Sequence, residues 1–319
     1  MRQQRTLLSA IGGAVVLVVA ISARAWATYP GDVGRLAFGM TDAGGNTDVY
    51  TVLPNGHELE RLTTDPGFDS CPAYSADGQQ IAFCSNRTGH FEIWAMDRRG
   101  GHQQQITNLG GRALFPDWSP DGRHVAFGGV QGADRSPEVW VVDATTGGSL
   151  TPLTSCAGAA AGCFNNWPVW SPDGTRIAFI HADSRDAAGN LVNEQVWVMN
   201  ADGSDKTQLT FDGQPHDQLP DWSPDGTRIA YEQGAVGSGR IFTMRADGSG
   251  TTQLTFGPGD DFGAAWSADG SRIAFVRDFG GGDRPVVVMR ADGTGQRQLT
   301  PGVATQFVPA WQPLGGTGD

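Results

Sequence analysis

The sequence is poor in positive charge and in the short signatures that would name an activity. Lys206 is the single lysine in 319 residues, and 22 Lys and Arg face 34 Asp and Glu for a formal net charge of −12. A surface of that sign repels nucleic acid and anionic lipid, so neither is expected as a partner. No Gly-x-Ser-x-Gly occurs, which removes the nucleophile elbow of a serine hydrolase. The histidines, His57, His90, His102, His124, His181 and His216, are scattered, with neither HExxH nor a Cys/His ligand spacing, so zinc chemistry has no support. Apolar runs are short everywhere except residues 7–21. That run follows Arg2 and Arg5 and precedes Ala23, Ala25 and Ala27, the layout of a secretory signal, and it is short for a membrane span. Residues 1–27 are therefore read as a signal peptide, cleaved or kept as an anchor, and the protein as exported to the periplasm or beyond. Without its three arginines the balance is 19 against 34.

What is present is a six-fold repeat. Its first half reads PAYSADGQQIAF, PDWSPDGRHVAF, PVWSPDGTRIAF, PDWSPDGTRIAY and AAWSADGSRIAF, and a sixth copy is split between PAWQP at Pro309 to Pro313 and GRLAF at Gly34 to Phe38. The second half runs DVYTVLPNG, EIWAMDRRG, EVWVVDATTG, QVWVMNADG, RIFTMRADG and VVVMRADG, each followed by Leu-Thr or Ile-Thr. The aromatics Tyr74, Trp118, Trp170, Trp222, Trp266 and Trp311 stand 44, 52, 52, 44 and 45 residues apart, about one four-stranded blade each. A repeat that splits across the termini predicts a closed ring: an all-β, six-bladed propeller over residues 33–314, with 315–319 as a short tail.

Short β-branched and aromatic runs between Asp-Gly turns predict four antiparallel strands per unit. In Ser-Pro-Asp-Gly the proline presets φ, Asp121, Asp173 and Asp225 bond the backbone, and glycine accepts positive φ. Asp202, Asp247 and Asp292 turn the third strand into the fourth by the same chemistry. The signature tryptophans are expected to pack between sheets. Four cysteines in an exported chain favour disulfides. Cys156 and Cys163 lie in one loop and predict a bridge; Cys71 and Cys84 flank one hairpin, where the register decides between a bridge and thiols on opposite faces.

With W-S-P-D-G-x-x-I-A-F, I-W-x-M-x-A-D-G-x-x-x-x-Q-L-T and Ser85-Asn86-Arg87 after one second strand, the chain resembles the TolB-type propeller repeat over nearly all of its length past residue 27. The resemblance implies a six-bladed periplasmic propeller. The family's namesake binds the lipoprotein Pal at one face and carries an N-terminal α/β domain, for which this sequence shows no counterpart. Related repeats also accompany prolyl-oligopeptidase-type hydrolases, and their catalytic domain has no counterpart either.

Function in a propeller sits at the channel mouth, where the repeat varies. Five residues before each signature aromatic stand Asp69, Ala113, Asn165, Asp217, Asp261 and Gln306, an expected oxygen-rich collar that would order water, hold calcium or receive a basic group. Phe68, Phe115, Phe164, Phe262 and Phe307 accompany it, as a recognition rim or as the top of the core. The longest connection places His181, Asp183, Arg185, Asp186 and Glu194 on an exposed flap. The reading taken is a monomeric, non-catalytic module that binds a protein or peptide of the cell envelope, without a cofactor. The alternative is an extracellular carbohydrate-active enzyme, a glycoside hydrolase or lyase, drawing on Asp217 with Asp261 or Glu194.

Overall fold

The computed structural model describes residues 32–131, 136–157, 163–185, 191–211, 216–235, 237–301 and 305–314. The segment read as a signal peptide and the tail 315–319 lie outside the described residues. Six four-stranded antiparallel sheets form the ring. Their inner strands are Asp69–Tyr74, Arg112–Trp118, Phe164–Trp170, Asp217–Trp222, Asp260–Trp266 and Gln306–Leu314, which define blades 1 to 6. Blade 6 closes the circle as its sequence predicts: Gln306–Leu314 pairs with Asp32–Thr41, matching Trp311 to Leu36 and Gln306 to Met40. Among the described residues there is no helix.

Each part of the repeat has a mechanical cause. The alternating apolar residues of the second and third strands are buried on both faces because each sheet lies between two others. The signature aromatics wedge between blades: Trp118 packs with Ala82, Cys84 and Ile93 of blade 1, and Trp311 packs with Ala274 and Val276 of blade 5. The threonine of each Leu-Thr or Ile-Thr accepts the N–H that opens the third strand, from Val49 to Thr63, Ile93 to Thr107, Val139 to Thr154, Val196 to Thr210, Ile241 to Thr255 and Val286 to Thr300. That hydroxyl ties down an outer strand only two residues long, such as Gln104–Gln105, too short to template edge pairing.

The turns behave as the sequence requires. Asp121, Asp173, Asp225 and Asp269 each accept a serine hydroxyl and a backbone N–H, which hold their carboxyls below the usual range against the effect of burial. The glycine of the third-to-fourth turn has a second duty. Gly100, Gly203, Gly248 and Gly293 take φ of 87°, 86°, 85° and 86°, and a Cβ there would lie 2.5 to 2.8 Å from a carbonyl oxygen of the preceding blade. Glycine is therefore both turn and blade-to-blade contact.

Candidate functional site

The axis of the ring is where the backbone departs from regular strand. Three residues before the signature aromatic, Cys71, Phe115, Trp167 and Leu219 have φ of 54°, 56°, 49° and 51°, and Gly263 has 65°. The pairing register slips at each of these points, so every one is a β-bulge that swings its residue toward the channel. All but Gly263 line one cavity of about 130 Å³ with the prolines Pro72, Pro116, Pro168, Pro220 and Pro309. The Phe115 and Trp167 rings lie 4.7 Å apart there. Two carboxylates share this apolar lining, Asp117 and Asp221. Asp117 Oδ2 accepts the Trp170 N–H at 2.7 Å and Asp221 Oδ2 accepts that of Trp266 at 2.6 Å, so each clips the inner strand of the next blade. Burial, opposed by the Trp170 N–H and aided to a lesser extent by the charge of Asp221, pushes the Asp117 carboxyl up to about 8.

The collar residues are brought to one level of the ring, and the structure buries them. Asp69, Asp217 and Gln306 are 0% exposed, Asp261 2% and Asn165 4%. Each is engaged inside its own sheet or the neighbouring one. Asp69 meets Arg87 at 2.6 Å; burial raises its carboxyl, opposed by Ser85 and Arg87. Asp261 holds the Arg277 guanidinium at 2.5 and 2.9 Å. Asp217 accepts from Gln233 at 3.1 Å, Asn165 contacts His181 and Glu138, and Gln306 accepts from Thr300. The N–H groups of Ala113, Asn165, Asp217 and Asp261 reach back to carbonyls of the preceding blade, so this level is also a seam. Among the described residues, no group of three or more His, Cys, Asp or Glu is placed to hold a metal ion.

The aromatic rim divides. Phe68 packs edge-on against Phe91 and Phe307, both at 5.7 Å, over the junction of blades 6 and 1. Phe164 is buried in the core of blades 3 and 4, Phe262 packs against that of blades 5 and 6, and Phe115 belongs to the channel. The flap also divides. Ser184–Arg185 and Leu191–Val192 form a small hairpin, while Asp186 lies outside the described residues. His181 is anchored by Asn165 and Asp183, both at 2.8 Å. Glu194 is not an exposed flap residue: it is 3% exposed, because its strand bridges to His216 at the seam with blade 4.

Both disulfides are present, Cys71–Cys84 and Cys156–Cys163. Cys84 stands opposite Ser70, not Cys71, so a regular register would separate the first pair. The bulge at Cys71 turns its side chain back and closes the bridge.

Sequence reasoning missed three sets of residues. The bulge positions carry Cys, Phe, Trp, Leu and Gly, with no common chemistry to read. Asp117 and Asp221 had a signal: the residue before the aromatic is Ala, Asp, Val, Asp, Ala and Ala around the ring. The third set, around Glu194, Glu232 and Asp260, is assembled from three blades. His216 Nδ1 and Gln218 Nε2 both meet Glu194 Oε2, and the Gly239 N–H donates to Asp260 at 2.6 Å. Burial, then Asp260, Glu194 and Asp261, push the Glu232 carboxyl up to about 8.

The TolB beta propeller domain family matches residues 17–155 and 108–317. An uncharacterized protein of Agrobacterium fabrum is 31% identical over 192 residues, 59% of this chain and 62% of that protein. The Tol-Pal system protein TolB of Anaeromyxobacter dehalogenans is 33% identical over 133 residues, 42% of this chain and 27% of that protein. The chain thus spans less than two thirds of the length of these curated relatives. Among solved structures, TolB from Acinetobacter baumannii superposes with a TM-score of 0.72 at 21% identity, covering 89% of this chain and 68% of that one. An oligogalacturonate lyase in complex with manganese gives 0.53 at 17% identity, covering 85% and 74%. At such identities both likenesses are of fold.

Proposed function

The chain belongs to the TolB β-propeller family, and from that premise we propose that it is a non-catalytic binding module of the cell envelope that takes a protein or peptide at one mouth of its channel. The observation that carries this is the ring of bulges. Left-handed backbone at a non-glycine residue costs about 1–3 kcal/mol, and three of these bulges set Phe115, Trp167 and Leu219 along the channel, half-buried. Strain repeated to set large apolar groups along the channel wall supports an anchoring pocket for a partner's side chain. The two disulfides and the N-terminal segment support an exported location.

The carbohydrate-active reading has less support. Asp217 and Asp261, its carboxylates, are withdrawn from solvent, and Asp261 is committed to Arg277. A photo-crosslinking aromatic amino acid at Leu219 tests the proposal, since Phe115 and Trp167 show that an aromatic fits the equivalent bulge. In envelope extracts it should trap a discrete polypeptide that the same group at the exposed turn residue Asp202 does not trap. Equal trapping at both positions, or release of new reducing ends from polygalacturonate, would overturn the reading.

A further inference from the structure

Asp69 and its counterparts open the inner strands and mark the upper face of the ring, and the turns that end those strands, Ser-Pro-Asp-Gly or Ser-Ala-Asp-Gly, lie on the lower face. We propose that the lower-face seam between blades 1 and 2 is a docking cleft for an extended polypeptide segment that seats a proline ring beside Ala76 and sets a neighbouring arginine against Asp77. The cleft shares no lining residue with the channel cavity and is a second, separate place of contact.

The repeat itself shows what this seam lacks. The proline of one turn packs onto the turn glycine of the next blade: a Cβ on Gly174, Gly226 or Gly270 would lie 3.4, 3.6 or 3.2 Å from the Cγ of Pro120, Pro172 or Pro224. Blade 1 has Ala76 in that place, and a Cβ on Gly122 would meet nothing within 4 Å. The missing ring leaves a cleft of about 370 Å³, to which blade 1 contributes Ala76, Asp77 and Gln80, and blade 2 contributes Trp118, Asp121 and Gly122. That size falls in the range of ligand pockets, roughly 300–1,000 Å³. Ala268 makes the same exchange in blade 5, where the turn it would face lies outside the described residues. At three other seams, then, the group that fills this position is a proline ring, and a ring brought by a partner fits it with little entropy to lose.

A second departure from the repeat falls at the same seam. The residue before the first buried aliphatic of the second strand is Arg35, His124, Arg176, Arg228 or Arg272 in the other five blades, and Gln80 in blade 1. In blade 3 that arginine has two tasks: Arg176 Cζ lies 4.8 Å over the Trp222 ring of the next blade, and its charge acts on Asp173 of its own turn. Asp121 likewise has the charges of His124 and Arg123. Gln80 brings no charge to Asp77. Asp77 is exposed, its Oδ1 accepts from the Ser75 hydroxyl and the Gln79 N–H, and no cation pairs with it among the described residues. A segment with proline beside arginine supplies both missing groups, a ring for the gap and a guanidinium for the carboxylate.

The probe is a short fluorescein-labelled peptide with Pro-Arg at its centre, read by anisotropy on the whole protein. Its counterparts carry alanine for the proline or citrulline for the arginine. Loss of the ring should weaken binding about tenfold. Loss of the charge should weaken it about two- to fivefold, and less as salt is added. Ala76→Pro gives blade 1 the turn that blades 2 to 4 already have, with the same backbone bonds from Ser75 to Gln80 as from Ser119 to His124. It should fold with an unchanged or higher melting temperature and bind the Pro-Arg peptide at least about tenfold more weakly. Asp77→Asn keeps the turn acceptor and should remove the preference for arginine over citrulline while leaving that for proline. Equal binding of the three peptides, or undiminished binding by folded Ala76→Pro, overturns the inference. So does a dimer in sedimentation that Ala76→Pro converts to monomer, since the occupant would then be a second copy of the chain. The Leu219 crosslink reads the channel, so either conclusion can fall without the other.

Discussion

On one side of the upper face, in blades 5, 6 and 1, acidic side chains are matched by arginine. Asp261 takes Arg277, Asp69 takes Arg87 at 2.6 Å, Asp278 takes Arg284 at 2.7 Å and Asp48 takes Arg61. Across the ring, in blades 3 and 4, Glu194 has only His216 and Gln218, and Glu232 has no partner among the described residues. Both sides take carboxylates out of water, Asp48, Asp69 and Asp261 on one and Glu194 on the other. They differ in where the countercharge comes from. A buried ion pair contributes little net stability when compared with an apolar pair, but losing one member is costly, so the arginine side is committed to the fold. On the arginine-poor side no cation meets Glu232 among the described residues, and its carboxyl is pushed up to about 8 instead.

The largest expected effect breaks the committed side. Arg87→Ala strands Asp69, which is fully buried, and also removes the guanidinium stacked 4.7 Å over Trp94. The loss should be about 3–5 kcal/mol in urea denaturation. The double variant Asp69→Asn with Arg87→Met should cost clearly less than Arg87→Ala alone, since no charge is then stranded. Equal losses would mean that packing, not charge, holds this side.

A smaller effect sharpens the comparison in the channel, where Asp117 is another carboxylate without a cation. Its carboxyl is raised to about 8 in the fold, mainly by burial and then by Asp221, so the native state binds a proton that the unfolded chain releases near pH 4. Its favourable contribution is complete below the unfolded value and is lost as pH rises through about 8. Asp117→Asn keeps an acceptor for the Trp170 N–H. It should be near neutral at pH 3 and stabilising by about 1–3 kcal/mol at pH 9, read from denaturation midpoints across pH. A variant whose stability parallels the parent's at every pH would show that Asp117 ionises freely.

The ring, its blade count and its closure were legible because each depends on a pattern repeated six times, and repetition averages out local ambiguity. Both bridges were legible as candidates, although only the bulge at Cys71 resolves the register at Cys84. The site was much less legible. Asp69, Asp217 and Asp261 were recognisable as one ring, but their facing is set by strand register and by partners such as Arg87 and Arg277, 18 and 16 residues downstream. Ser85-Asn86-Arg87 was noticed as a family mark, without its link to Asp69. Glu194, Glu232 and Asp260 come from three blades and from positions that repeat no common residue. Only the fold brings them together, and juxtaposition is what single-sequence periodicity omits.

The smallest effect addresses that juxtaposition through stability. If the arginine-poor side holds Glu232 against its own repulsion, the native carboxyl keeps its proton until about pH 8, whereas in the unfolded chain it titrates near the ordinary glutamate value. The same linkage makes the parent lose stability relative to Glu232→Gln as pH rises through about 8. The variant should match the parent at pH 4 and exceed it by about 1 kcal/mol at pH 9, a gain that shrinks on adding Asp260→Asn because one source of repulsion is gone. A destabilising Glu232→Gln at pH 9 would mean that the ionised carboxylate already has a favourable partner within the fold. The two sides of the ring would then differ in the identity of the countercharge and not in its presence.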